Sequence, residues 1–177
     1  MPAVAMLRRA ALLPHARVGP RPRMQRALPH LQLDQFPQNE TVDDLVECCL
    51  SIPFVRSKQS RMASPGSHAL YLSDQFAAGP PEAFIDAHEF CHLHPSPEGG
   101  IYLTLPAVLR DEAMRLGWGE PHPIAAAGIL TTLMTLYAPR DREEVSTVLG
   151  LVLQSCQFAQ GKLQLLYGAE RSLRKAP

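Results

Sequence analysis

Residues 88–105 read HEFCHLHPSPEGGIYLTL, and this stretch decides the fold class. Two apolar-rich runs, 88–94 and 101–105, flank a segment of prolines and glycines at 95–100. Short runs of this kind on either side of such a segment are typical of a β-hairpin. The sequence therefore predicts two neighbouring antiparallel strands.

Helices and further strands are predicted on both sides of this hairpin from capping residues, turn residues and apolar spacing. The order α-β-β-β-α-β-α, with helices at both ends, indicates an α+β fold: an antiparallel sheet of about four strands with helices packed on one face. The predicted elements are a helix from Thr41, strands over 67–72, 88–94 and 101–105, a helix over 108–116, a strand over 130–137 and a helix from Asp141.

Charge divides the chain of 177 residues into two parts. Residues 1–33 hold six arginines and no acidic residue, and they are rich in proline. The other 144 residues hold 11 basic and 17 acidic residues, a net charge of −6. We expect residues 1–38 to be a disordered Arg/Pro-rich tail and residues 39–177 to form one domain.

The same composition bears on partners and location. An acidic body repels phosphate backbones, so no nucleic-acid partner is expected. The longest weakly polar run, 124–137, has 14 residues, which is too short to span a bilayer. The four cysteines lack metal-finger or redox spacing and are interpreted as buried reduced thiols. We therefore expect a soluble cytoplasmic protein with a small-molecule ligand.

Histidines and a glutamate cluster in the first strand of the hairpin. His88, Glu89 and His92 match H-E-x-x-H, which on a long helix would bind zinc. Here prolines follow almost at once and no helical apolar stripe is present, so a metal hydrolase is the weaker alternative. In a strand, alternation would place His88, Phe90, His92 and His94 on one face and Glu89 on the other. Such imidazoles could transfer protons, bind a metal, or form a hydrogen-bonded polar strip.

Two later segments could also carry function. Residues 117–123 read GWGEPHP, a loop held in a defined path that would present Trp118, Glu120 and His122. Its other interpretation is a packed loop with a tryptophan plug. In 137–141, Asp141 is explained as a helix cap, whereas Arg140 could hold an anion.

Three segments in this order, 89–95, 117–123 and 137–141, resemble the domain of fungal bioluminescence luciferases and its bacterial relatives. Residues 60–61 and 65–72 also look like the bacterial members. The resemblance extends over roughly residues 42 to 160.

The resemblance implies an oxygenase that acts on a small enolisable ring such as a hydroxypyrone, with molecular oxygen as co-substrate and no metal or other cofactor. It also implies catalytic and substrate-binding roles for residues of these segments, although the family often has a histidine where this chain has Tyr102. Non-catalytic ligand binding remains the alternative. The implied catalytic residues are His92, His94 and Glu89, and the implied substrate-binding residues are His122, Trp118, Glu120, Tyr102 and Arg140. We expect the three histidines to converge beside Trp118.

Overall fold

The computed structural model describes residues 15–163, which contain six strands and four α-helices. Two short 3-10 turns, Asp74–Phe76 and Pro81–Ala83, lie between strands. In chain order the elements are α1 (Asn39–Leu50), β1 (Val55–Gln59), β2 (His68–Leu72), β3 (Glu89–Leu93), β4 (Ile101–Thr104), α2 (Ala107–Arg115), β5 (Gly119–Pro121), α3 (Pro123–Ala126), β6 (Leu133–Leu136) and α4 (Arg142–Ala159).

All six strands belong to one antiparallel sheet with the order β1-β2-β3-β4-β6-β5. The α+β class and the hairpin of β3 and β4 are therefore confirmed, but the expected four strands and their order are corrected. Both unpredicted strands lie at sheet edges. β1 is mostly exposed and polar, and β5 has three residues ending in a proline, so neither has the apolar alternation that marks a strand.

One face of the sheet is apolar. Cys91 of β3 is paired with Leu103 of β4, and Leu103 with Met134 of β6, so these side chains point the same way. α1 and α4 cover this face and contact each other. Val145, Leu149 and their helical neighbours supply the other half of the core, as the apolar spacing of α4 predicts.

The predicted cap of α4 at Asp141 is confirmed. Asp141 Oδ1 accepts hydrogen bonds from the backbone nitrogens of Glu143 and Glu144. The Glu144 carboxylate accepts from Arg140 and from Arg17, which holds residues near position 17 against the domain. α1 begins at Asn39 rather than from a cap at Thr41, and its N-cap residue makes no side-chain capping bond.

The opposite face of the sheet is covered by residues 15–37. Arg17, His30 and Gln32 are buried, and the Ala138 backbone nitrogen donates to Gln32 Oε1. Side-chain hydrogen bonds to the domain hold this part of the expected tail over 1–38, although its composition suggested disorder. Residues 1–14 of that expected tail lie outside the described residues, as do residues 164–177 of the expected domain.

Two further expectations concern the cysteines and the membrane. All four cysteines are buried, and burial raises the pKa of the Cys91 thiol. In the part of the chain from 15 to 163, every helix is too short or too polar to cross a bilayer.

Candidate functional site

A β-bulge in β3 brings Glu89 to the face of the sheet that carries His92. Leu70 is paired with Cys91, but the next residue of β2, Tyr71, is paired with Glu89, so Phe90 is an extra residue. The extra residue reverses the alternation that the sequence predicts, and Glu89 joins His92 instead of opposing it. Phe90 packs into the apolar core. We call this second side of the sheet the histidine face.

Glu89 is fully buried and fixes the ring of His92. His92 Nδ1 donates to Glu89 Oε1 at 2.6 Å, and a carboxylate can only accept, so Nδ1 carries a proton. Ser60 Oγ donates to both carboxylate oxygens, at 3.0 and 3.1 Å, and the Tyr71 hydroxyl donates to Oε2 at 2.7 Å. In the neutral His92 ring, Nε2 then holds the lone pair. That atom is buried and has no hydrogen-bond partner.

His94 lies next to His92 on the same face, with ring centroids 5.4 Å apart. It is buried, and neither of its ring nitrogens has a hydrogen-bond partner. The Glu98 carboxylate is nearest to Nδ1, at 3.8 Å. Burial, together with His92 and His122, lowers the pKa of His94 to about 4. The ring is therefore neutral at physiological pH.

His122 reaches the histidine face from the loop after β5. Its Nδ1 accepts a hydrogen bond of 3.3 Å from the backbone nitrogen of Ile124, as the N-cap of α3. Because Nδ1 accepts, the proton of the neutral ring is on Nε2, which is buried without a partner. Burial, followed by the neighbouring His30 and His92, lowers the pKa of His122 to about 4.

Tyr102 stands between the three imidazoles. Its ring centroid is 4.8 Å from that of His92 and 4.6 Å from those of His94 and His122. Its hydroxyl donates to the backbone oxygen of His30 at 2.7 Å, and burial raises its pKa. Tyr102 thus remains a neutral phenol whose ring forms a wall of the site.

His30 is a fourth imidazole at this face, and no sequence pattern singles it out. Its ring is 5.8 Å from that of His122, and its Nε2 lies 2.8 Å from Glu120 Oε1. The other oxygen of Glu120 accepts from the Tyr137 hydroxyl at 3.0 Å. Glu120 therefore ties His30 to the sheet at the border of the cluster.

The histidine face therefore holds a buried proton acceptor and a buried proton donor. His92 Nε2 carries a lone pair, and the Glu89 carboxylate orients the His92 ring. His122 Nε2–H is a donor without an acceptor. Thr135 Oγ1, on the same face, is also buried without a partner. Buried polar atoms are normally satisfied, so a concentration of unsatisfied ones needs an explanation such as a ligand or ordered water. A base with an adjacent donor is what removal of a proton beside a carbonyl requires.

Two of the residues selected from the sequence lie apart from the three histidines. Trp118 packs in the apolar core, lies edge-on to His15 at 5.7 Å, and donates to the His15 backbone oxygen. The guanidinium of Arg140 is occupied by the Glu144 carboxylate and the Val18 backbone oxygen. The substrate-binding roles expected for Trp118 and Arg140 stay predictions.

The H-E-x-x-H residues do not have the geometry of a zinc helix. They lie at and just before β3, and His88 is directed to Asp74, 3.3 Å away, rather than to His92. Both oxygens of Glu89 already accept hydrogen bonds. Across residues 15–163, no group of three His, Cys, Asp or Glu side chains is placed to hold a metal ion.

A surface cleft of about 380 Å³ exists elsewhere, beside the edge strand β1. Phe54 and Phe76 stack in its wall with ring centroids 4.0 Å apart. It shares no lining residue with the histidine face, so we do not place the site there.

Ser60, Tyr71 and His30 contribute to the arrangement although the sequence did not single them out as site residues. Ser60 and Tyr71 lie within the segments that resemble the bacterial members, and that position was the available signal. His30 had none, because its contacts with Tyr102 and Glu120 span 72 and 90 residues of the chain.

Comparisons with known proteins agree on one family. The family model described as Luciferase domain matches residues 87–155, which include Glu89 and the three histidines. The luciferase of Neonothopanus nambi is 36% identical over 63 residues, and that of Armillaria mellea is 35% identical over the same length. Each match covers 34% of this chain and 24% of the relative, so the similarity spans about a quarter of the curated proteins. No solved structure is significantly similar.

Proposed function

We propose that this chain is a luciferase-like domain whose histidine face deprotonates a small enolisable ring, such as a hydroxypyrone, for direct reaction with molecular oxygen. One observation carries the proposal: His92 Nε2 is an oriented acceptor, and His122 Nε2–H is a donor in the same buried cluster. The similarity of residues 87–155 to the Luciferase domain supports it independently.

His92 acts as the general base in this proposal. Its Nε2 takes the hydroxyl proton of the enol, and Glu89 stabilises the imidazolium that forms. Ser60 and Tyr71 keep the carboxylate in place by donating to it. A base positioned in this way contributes about 10²- to 10⁴-fold to a rate.

His122 holds the other end of the ring. Its Nε2–H donates to the oxygen on which negative charge develops, while its pKa of about 4 keeps it neutral and so unable to quench the base. The electron-rich carbon of the anion then forms a C–O bond with oxygen. The proton held on His92 moves to the terminal oxygen, which gives a hydroperoxide with no net gain or loss of protons. His94 and Tyr102 wall this space.

Oxygen consumption with a panel of hydroxypyrones and related enols tests the proposal on the full chain. We expect saturable uptake with at least one compound, and loss of nearly all uptake in His92→Gln. His68→Asn is the matched control, because His68 is exposed at the start of β2 and should not matter. Uptake that is equal in His92→Gln and the unmodified chain, or no uptake with any compound, would overturn the proposal.

A non-catalytic ligand-binding module is the second candidate, and the burial of the cluster favours it. The three histidines are between 1% and 3% exposed, which suits retention of a ligand better than rapid exchange of substrate and product. Saturable binding of a panel member without oxygen uptake would select this candidate.

A further inference from the structure

The histidine face is closed to solvent by the segment 23–34, which we call the strap. His92, His94 and His122 are 1%, 2% and 3% exposed, and the strap residue His30 is 5% exposed beside them. His30 lies beside His122 and accepts a hydrogen bond from Tyr102, so the strap covers the part of the histidine face that these two residues form.

The strap is closed on itself. A bridge joins Met24 to Gln32, and Leu33 N donates to the Arg23 backbone oxygen at 2.8 Å. At its base, Arg23 donates to Asp34 from both its backbone nitrogen and its side-chain Nε, at 2.8 and 2.9 Å. These internal bonds survive if the strap leaves the sheet, so the segment can move as one unit.

Polar contacts hold the strap to the sheet. They are His30 Nε2 with Glu120 at 2.8 Å, the Tyr102 hydroxyl donating to the His30 backbone oxygen at 2.7 Å, and Ala138 N donating to Gln32. Of its larger apolar side chains, Leu28 and Leu33 are 57% and 47% exposed, and Met24 and Leu31 are only partly buried. Segments held by few apolar contacts open at low free-energy cost.

We propose that the strap is a gate over the histidine face and that the His30–Glu120 contact is its latch. Opening breaks this contact and releases the Tyr102 hydroxyl from His30, which gives the site a further donor. Closing places the fourth imidazole beside His122 and excludes water from the reacting groups. The inference rests on the proposed function only in taking the histidine face as the site.

Chemical modification of the histidines tests the gate without any substrate. Diethylpyrocarbonate acylates accessible neutral imidazoles, and mass spectrometry of peptides gives a rate for each histidine. In the unmodified full chain, we expect His92, His94 and His122 to react at least about tenfold more slowly than the exposed His15 and His68.

Variants that remove the latch should release the protection of all three histidines together. In Glu120→Ala and in His30→Ala, we expect their rates to rise roughly tenfold, the effect of losing one hydrogen bond to a charged group. Arg115→Ala is the matched control, because it removes a comparable pair, Arg115 with Glu112, on the surface of α2. Its rates should equal those of the unmodified chain.

Two results would overturn the gate. Unchanged protection in Glu120→Ala means that this contact is not the latch, and fast reaction in the unmodified chain means that the face is not closed. If His30→Ala loosens the whole domain, amide exchange in α4 also rises, and Glu120→Ala then decides. Because the modification needs no substrate, failure of the gate leaves the proposed function intact, and absence of oxygen uptake leaves the gate intact.

Discussion

The two faces of the sheet are built from the same strands and both are buried. They differ because the histidine face buries polar atoms that lack hydrogen-bond partners. Cys91 and Leu103 point to the helices, whereas their chain neighbours His92 and Tyr102 point to the strap. On the apolar face, burial removes hydrocarbon from water and stabilises the fold. On the histidine face, burial leaves ring nitrogens without partners.

The difference indicates which face was built for folding. A buried polar atom without a partner costs about 1–3 kcal/mol, so the histidine face works against stability. Not every polar group on this face lacks partners, because Glu89 accepts hydrogen bonds from Ser60, Tyr71 and His92. Glu89, which orients the His92 ring, has its hydrogen bonds satisfied, whereas His92 Nε2 has no partner.

The largest contrast between the faces concerns activity. We expect His92→Gln to lower the rate of oxygen uptake about 10³-fold, equivalent to about 4 kcal/mol on the barrier, because the proton acceptor is lost. Its free energy of unfolding should fall far less than that. Oxygen uptake and urea unfolding of the same preparation measure both quantities. Equal losses in the two would mean that His92 has a structural role.

The reverse behaviour is expected for the helix layer over the apolar face. Leu149 of α4 is fully buried, and Leu149→Ala should lower the free energy of unfolding by about 3 kcal/mol by opening a cavity. Oxygen uptake per folded molecule should change less than about twofold, since no site group contacts this helix position. A large loss of uptake in folded Leu149→Ala would show that the two faces are not independent.

The pH dependence of stability should come from the histidine face. The pKa values of His94 and His122 are about 4 in the folded protein against an ordinary 6.5, so the unfolded chain binds more protons between these values. Stability is therefore retained above about pH 6.5 and lost as the pH falls towards 4, by up to about 2 kcal/mol per histidine at pH 5. Urea unfolding at pH 7.5 and pH 5 measures this loss.

Replacing the titrating rings provides the control for that prediction. His94→Asn and His122→Asn should each reduce the loss between pH 7.5 and pH 5, whereas His68→Asn should not. A loss that is the same in all three variants would place the titrating groups elsewhere in the molecule.

The smallest expected effect concerns Tyr71, which donates a hydrogen bond to Glu89 on the histidine face. Tyr71→Phe removes one of the donors that hold Glu89, and we expect the rate of uptake to fall about fivefold to tenfold, or about 1 to 1.4 kcal/mol. Because Tyr71 acts through Glu89 and His92, KM should stay unchanged while kcat falls and its pH profile shifts. A change in KM alone would mean that Tyr71 contacts the substrate instead.

Elements with a strong local pattern could be predicted from the sequence. The hairpin of 88–105 and the cap at Asp141 depend on residues within a few positions of each other. β1 and β5 could not be predicted, because exposed polar edge strands lack an apolar pattern.

The site residues also divide into those that a local sequence pattern predicts and those that it does not. His92, His94 and His122 could be selected because histidines cluster in short segments with prolines and glycines. The position of Glu89 depends on a bulge opposite Tyr71, which no pattern within β3 reveals. Trp118 has a core position and Arg140 has a carboxylate partner, and no pattern in the sequence reveals either contact. His30 required the tertiary structure.

The central claim is that His92 and His122 present opposite tautomers, one an acceptor and the other a donor. Side-chain nitrogen NMR of the full chain with ¹⁵N-labelled histidine at pH 7 tests it directly, with assignment from His92→Gln and His122→Gln. The account predicts that His92 Nε2 and His122 Nδ1 carry no proton, while His92 Nδ1 and His122 Nε2 do. The same tautomer in both rings, or a doubly protonated His122, would contradict it.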